Sequence, residues 1–147
     1  MRWFLDRLSI AMVAGAALWM VVPSSLFIHP ISLTIDAEGI SRFTRELPLG
    51  EVRARWHSEI TLIDGEEFEC NSGDWQFANY QQVPGNTVTY GSGDWADACF
   101  AAGPPFYITT TRQVLLFNVI PLRPMTTRTD ILGENGLSRA GIVQPAP

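Results

Sequence analysis

An uncharged and largely apolar run of 21 residues near the N-terminus constrains this chain more than any other feature. It extends from Leu8 to Ile28 and follows two arginines, Arg2 and Arg7. About 20 apolar residues suffice for a helix to cross a bilayer, and flanking cations favour the cytoplasmic side. The run therefore predicts an uncleaved transmembrane anchor within residues 1–30. This single-pass topology puts the N-terminus in the cytoplasm and the rest of the chain outside the cytoplasmic membrane, in the periplasm or the extracellular space.

The alternative interpretation of the same run is a cleaved signal peptide with a small-residue site ending at Ala17. Cleavage there would divide the apolar run and leave residues 18–22 on the mature chain, so we favour the anchor. The small residues Ala14, Gly15 and Ala17 predict a surface that a second helix can approach closely. The simpler explanation of this patch is that alanine is common in membrane helices.

Residues 31–132 are predicted to form a mainly β domain. In segment 51–63 the even-numbered positions carry mostly small or apolar side chains and the odd-numbered positions mostly polar ones, which is the period-two pattern of a half-buried strand. Further strands are expected within 31–36, 84–90, 103–122 and 123–132, separated by turn residues. The spacing in 40–47 fits a short helical turn. These signals favour an antiparallel β-sandwich of immunoglobulin-like size, followed by a flexible tail at 133–147.

Both cysteines, Cys70 and Cys99, follow the apolar run. A cysteine pair in an exported domain predicts one disulfide bond. Pairing Ile60 with Cys70 brings two apolar strand faces together and points Cys70 inward. Neither histidine lies in a zinc-ligand motif, and the acidic cluster at 64–69 matches no EF-hand loop. We therefore predict no metal and no cofactor.

The tetrapeptide Ser-Gly-Asp-Trp occurs twice, at residues 72–75 and 92–95. Serine, glycine and aspartate are turn residues, and a tryptophan that follows a turn can enter the core or remain on the surface. In the structural interpretation, two turns feed aromatic side chains into a core beside the disulfide. In the functional interpretation, an exposed platform binds a protein or a glycan, and its candidate residues are Trp75, Trp95, Tyr80, Tyr90, Asp74 and Asp94.

Charge and motifs exclude several function classes. The net charge is -5, all ten basic residues are arginine, and no basic stripe is present, which argues against a nucleic-acid partner. The chain has no GxSxG, HExxH or phosphate-binding motif. Asp74 and Asp94 fit ordinary turn usage better than paired catalytic carboxylates. We therefore expect that the protein is not an enzyme.

The segment from Cys99 to Phe117 combines a cysteine, Gly-Pro, an aromatic residue and a long Thr-rich strand. It resembles small membrane-anchored β proteins of bacteriophages and prophages, over about half of the chain, and no functional residue is carried over from this resemblance. The function we expect is a non-catalytic accessory or adaptor subunit that binds another envelope or membrane protein. The alternative is an exported glycan- or ligand-binding module.

Overall fold

Two antiparallel β-sheets face each other in the computed structural model of this protein. The structure describes residues 2–35, 40–63, 69–90, 96, 99, 105–131, 141–142 and 144–145. The smaller sheet is built from β1 (His29–Ile35), β2 (Ser41–Glu46), β6 (Thr87–Tyr90) and β10 (Gly141–Ile142), and it has the order β10-β1-β2-β6. The prediction of a mainly β fold with antiparallel sheets is confirmed.

The larger sheet contains the remaining strands. They are β3 (Glu51–Leu62), β4 (Glu69–Asn71), β5 (Gln76–Gln81), β7 (Phe106–Leu116), β8 (Ile120–Pro121), β9 (Met125–Ile131) and β11 (Gln144–Pro145). The central order is β11-β9-β7-β3-β4, with β5 also paired to β3 and β8 to β7. Two 3₁₀ turns, Ser24–Leu26 and Pro84–Asn86, precede β1 and β6.

The N-terminal helix, α1, spans Arg2–Val21, and every side chain that the structure describes in it is exposed. The chain leaves α1 through Pro23, whose backbone is extended. The apolar run from Leu8 to Ile28 does not form one helix, because α1 ends at Val21, before Pro23, and Ile28 is fully buried in the core of the β-sandwich. Within the described residues, no helix has both the length and the apolar character needed to cross a bilayer.

Two other segments differ from the pattern-based expectation. The helical turn expected within 40–47 is instead β2, because the segment pairs along its length with β1 on one side and β6 on the other. Two pieces of the predicted tail also join the sheets, since β10 pairs with β1 and β11 pairs with β9.

Strand β3 is the element on which the larger sheet is assembled. One of its edges pairs with β7, from Ala54 opposite Val114 to Leu62 opposite Phe106. Its other edge is shared by two strands, with β5 along residues 51–56 and β4 along residues 59–61. The predicted pairing of Ile60 with Cys70 is confirmed.

Two apolar clusters hold the sheets together. The first joins Ile35 of β1 to Ile60, Phe106 and Ile131 of the larger sheet, and it contains both cysteines. Cys70 and Cys99 form the predicted disulfide. The second cluster lies toward the start of β3, where its buried members are Ile28, Phe43, Leu47, Ala54, Tyr80, Val114 and Leu122.

Buried polar side chains occupy the inner face of the larger sheet between these two clusters. Ser58 Oγ and Thr110 Oγ1 are hydrogen-bonded at 2.9 Å, and Arg112 Nη1 donates to Thr127 Oγ1 at 3.1 Å. Buried polar groups need hydrogen-bond partners. The threonines on the inner faces of β7 and β9 therefore form hydrogen bonds with each other and with their neighbours across the sheet.

Arg45 of β2 is less well accommodated. Its side chain is 4% exposed, and its Nη2 donates to the Gln81 carbonyl at 3.3 Å. Its guanidinium carbon lies 4.9 Å from the centroid of the Tyr80 ring. Nε and Nη1 are buried and have no hydrogen-bond partner among the described residues, and unpaired buried donors cost free energy. Arg45 is therefore a weak point of the second cluster.

The double variant Cys70→Ser, Cys99→Ser is expected to lose about 3 to 4 kcal/mol of unfolding free energy. The reason is that the disulfide closes a loop with a sequence separation of 29 residues in the unfolded chain. Urea denaturation of oxidised wild type and of the variant measures the difference. Reduced wild-type protein serves as the control and is expected to match the variant; a loss under about 1 kcal/mol would contradict this contribution.

Arg45→Met is expected to leave the free energy of unfolding unchanged or to raise it by about 1 kcal/mol, because replacing a poorly paired buried charge by an apolar side chain is often stabilising. Arg42→Met, at an exposed position of the same strand, is the matched control and should change stability by less than about 0.5 kcal/mol. A loss above about 2 kcal/mol for Arg45→Met alone would mean that its aromatic contacts outweigh its unpaired nitrogens.

Candidate functional site

The first Ser-Gly-Asp-Trp segment, residues 72–75, connects β4 to β5 along one edge of β3. Asn71 pairs with Glu59 and Gln76 pairs with Trp56, so four residues of this segment face two residues of β3. Gly73 has φ +70, a left-handed conformation that glycine adopts at low cost. Its N–H donates to Asn71 Oδ1 at 3.0 Å. The segment is thus a bulge that interrupts the ladder, and its residue types fit that role.

Ser72 supplies the hydrogen bonds that the Ser58 backbone lacks where the ladder is interrupted. Its N–H donates to the Ser58 carbonyl at 2.9 Å, and its Oγ accepts the Ser58 N–H at 2.9 Å. Ser72 therefore satisfies both backbone groups of Ser58, which would otherwise be buried without partners at this edge.

His57 occupies the outer side of the same interruption. Its Nδ1 lies 2.9 Å from the Gly73 carbonyl oxygen and 3.3 Å from Ser72 Oγ. Its Nε2 lies 3.0 Å from Glu59 Oε1. The sequence predicts a surface histidine on the polar face of β3; the side chain lies on that face, is 28% exposed and makes contacts at both ring nitrogens.

Ser72, His57 and Glu59 are the residue types of a Ser-His-acid catalytic triad. Their geometry differs from that of a triad. Ser72 Oγ is buried beside β3 and already accepts a backbone N–H. The shortest contact of His57 Nδ1 is to a backbone carbonyl, whereas a general base needs a free nitrogen directed at the nucleophile. The arrangement is suited to holding the 72–75 turn in place.

The turn delivers Trp75 to the outer face of the larger sheet, where β5 continues with Phe77. Trp75 is 37% exposed and Phe77 is 61% exposed. The guanidinium carbon of Arg55 lies 4.6 Å from the centroid of the Trp75 ring, and that of Arg53 lies 5.7 Å from the centroid of the Phe77 ring. We call Arg53, Arg55, Trp75 and Phe77 the arginine–aromatic face.

The charges on this face are not neutralised within the described part of the chain. Neither Arg53 nor Arg55 forms an ion pair there, whereas Glu59 is engaged by His57 and Asp130 by Arg128. Arg55 Nε donates to Gln113 Oε1 at 2.8 Å, a neutral contact that helps to fix the guanidinium beside Trp75. Exposed aromatic rings combined with arginines are typical of protein-interaction sites.

The predicted aromatic platform is assembled only in part. Asp74 and Trp75 are both exposed at the turn. Tyr80 points to the inner face of β5 and is buried in the second apolar cluster, so it does not share a surface with Trp75. Tyr90 ends β6 in the smaller sheet. Asp94 and Trp95 lie outside the described residues.

The sequence analysis does not single out Phe77, Arg53 or Arg55. The signal for Phe77 is its position two residues after Trp75, which puts both side chains on one face of a strand. The signal for the arginines is their place on the polar face of β3. The sequence pattern does not reveal that β5 pairs with β3, and it is this pairing that brings Phe77 opposite Arg55.

The remaining sequence-based candidates are a metal site and the small-residue patch on α1. Among the residues that the structure describes, no group of three or more His, Cys, Asp or Glu side chains is placed to hold a metal ion. Asp64, Glu66 and Glu67 of the acidic cluster lie outside the described residues. Ala14, Gly15 and Ala17 are exposed on α1, and a Cβ added at Gly15 would meet no atom of another element within 4 Å. Helix packing at this patch stays a prediction.

No family model, no curated protein and no solved structure matches this chain.

Ser72→Ala is expected to lower the free energy of unfolding by about 1 to 3 kcal/mol, because it leaves the buried Ser58 N–H without its acceptor. Asp74→Ala in the same turn is the control, since the Asp74 side chain is exposed, and should change stability by less than about 0.5 kcal/mol. Urea denaturation measures both. Equal losses for the two variants would show that Ser72 Oγ does not support the interruption of the ladder.

Proposed function

We propose that this protein is a non-catalytic accessory subunit of an envelope protein assembly. In this role α1 holds the protein at the cytoplasmic membrane, and the arginine–aromatic face binds a second envelope protein. The observation that carries the proposal is the exposure of Trp75 and Phe77 beside two arginines without acidic partners in the described part of the chain.

The energetics of such a face favour association. Burial of an exposed aromatic side chain contributes about 25 cal/mol per Å² of apolar area removed from water. Trp and Arg are among the residues that dominate binding energy in protein interfaces. Since Arg53 and Arg55 have no carboxylate partner among the described residues, aspartate or glutamate side chains on the partner can pair with them. An acidic rim around an apolar pocket is the complementary surface.

The same contacts favour a protein partner over a glycan. Sugars stack on the open faces of aromatic rings, and here Arg55 lies over the Trp75 ring at 4.6 Å while Arg53 lies near the Phe77 ring. The guanidinium groups thus compete for the ring faces that a sugar would use. The glycan-binding alternative keeps one supporting observation, which is that Trp75 and Phe77 are both exposed.

The membrane part of the proposal rests on α1. All of its described side chains are exposed, and residues 10–17 include only apolar side chains and glycine; an apolar helical surface of this kind is characteristic of apolar surroundings. Arginines at its N-terminal end favour a cytoplasmic N-terminus. The disulfide favours an oxidising compartment, the periplasm or the extracellular side, for the β-sandwich.

Purification in mild detergent from membranes of the native host tests the protein-binding role. Wild-type protein is expected to retain a stoichiometric companion, and Phe77→Ser is expected to lose most of it, because hot-spot truncation typically costs about 2 kcal/mol or more, roughly a 30-fold loss of affinity. Quantitative mass spectrometry of the purified material measures the ratio.

Ile63→Ser is the matched control for this experiment. Ile63 is an exposed apolar residue at the far end of β3, so its replacement should leave the companion in place. Retention of the companion by folded Phe77→Ser protein would contradict the proposed face. If wild type is purified alone and Trp75 fluorescence responds to envelope glycan, the ligand-binding alternative takes its place.

A further inference from the structure

Exposed apolar side chains gather at one end of the β-sandwich. Phe117 is 82% exposed and Val119 is 76% exposed, at the tip of the hairpin between β7 and β8. Leu26 in the 3₁₀ turn and Leu49 between β2 and β3 are also exposed. From Val114 to Leu122 the hairpin contains no charged residue. We call the surface formed by Leu26, Leu49, Phe117 and Val119 the helix end of the domain.

The strand register brings these residues together. Ala54 lies opposite Val114 in the β3–β7 ladder, so continuing the antiparallel register carries the start of β3 toward the hairpin tip. Leu49 lies two residues before Glu51, in the turn where the Gly50 N–H donates to the Leu47 carbonyl at 2.9 Å. Ile63 lies at the other end of β3. At a rise of about 3.3 Å per residue it is ~40 Å from Glu51.

The same end also receives α1. Val22 packs against the second apolar cluster, and the Ser24 N–H donates to the Arg123 carbonyl at 2.9 Å. Ser24 Oγ lies 2.7 Å from the Arg123 carbonyl oxygen and 3.0 Å from the Val114 backbone nitrogen. These hydrogen bonds fix the exit of the helix beside the base of the β7–β8 hairpin.

The hairpin tip holds Phe117 outward at a conformational cost. Phe117 has φ 51 and Asn118 has φ 64. Asparagine tolerates the left-handed region, whereas a bulky side chain there is an outlier. Such outliers concentrate at functional positions. At Phe117 the unfavourable backbone conformation holds a large apolar ring in solvent, where it does not pack in the core.

From this geometry we infer that the helix end rests on a lipid surface, with Phe117 and Val119 inserted at the boundary between headgroups and acyl chains. The inference rests on the proposed membrane attachment and adds an orientation to it. Lipid is the occupant that fits, because the patch is continuous with the exit of α1, whose described side chains are exposed on all sides. The uncharged hairpin contrasts with the arginine–aromatic face, which has charges for a protein partner. Exposed Arg123 lies beside the patch, where a cation can meet anionic headgroups.

Fluorescence of a label at the hairpin tip tests this orientation. Full-length Val119→Cys protein, with its native disulfide oxidised, is labelled with NBD and reconstituted into vesicles of phosphatidylethanolamine and phosphatidylglycerol that carry doxyl-labelled acyl chains. Ile63→Cys is labelled in the same way as the matched control at the far end of β3. We expect blue-shifted emission at residue 119 and doxyl quenching at least threefold stronger than at residue 63.

The outcomes separate the orientation from the proposed attachment. If the protein floats with the vesicles but residue 119 reports water and is not quenched, the orientation is wrong and the attachment stands. A blue shift without doxyl quenching means that a second copy covers the tip, which also overturns the inference. If the protein does not float with the vesicles, both proposals fail. Phe117→Gly, which removes the ring, should reduce quenching at residue 119.

Discussion

Strand β3 has to serve two environments at once, and the other elements are arranged around that requirement. Its inner side packs Ala54 and Ile60 into two separate apolar clusters, while its outer side carries the arginines of the arginine–aromatic face. Because side chains alternate along a strand, a slip of one residue would exchange the two sides. Cys70 lies opposite Ile60, so the disulfide fastens the strand next to β3 at a position that fits this register.

The interruption between β4 and β5 shows how the outer face is shaped. An unbroken strand beside β3 would keep all its ladder hydrogen bonds. The 72–75 bulge gives up two ladder positions, and Ser72 and His57 replace their hydrogen bonds. The two extra residues shift the register by two positions, which preserves the alternation of faces and places Phe77 opposite Arg55. Bulges are common beside functional sites.

Much of the fold is predictable from local pattern, and the exceptions have physical causes. The alternation in β3 and the pairing of Ile60 with Cys70 follow from sequence because both depend on which face is apolar. Pro23 indicates where α1 can end, but the burial of Ile28 does not follow from sequence, since hydropathy cannot distinguish Ile28 in a protein core from Ile28 in a membrane. The spacing of Ile40, Phe43 and Leu47 fits a helix, and only the pairing with β1 and β6 makes β2 a strand. The burial of Tyr80 and the exposure of Phe77 likewise depend on how β5 is registered against β3.

Photo-crosslinking from residue 77 in membranes of the native host tests the proposed role most directly. A photoreactive phenylalanine analogue is placed at residue 77 of the full-length chain, and in a second variant at residue 63, at the far end of β3. We predict one dominant protein adduct from residue 77 that is absent from residue 63. If a folded, membrane-associated protein gives no protein adduct from residue 77, the arginine–aromatic face is not a binding surface for a protein and the accessory role is contradicted.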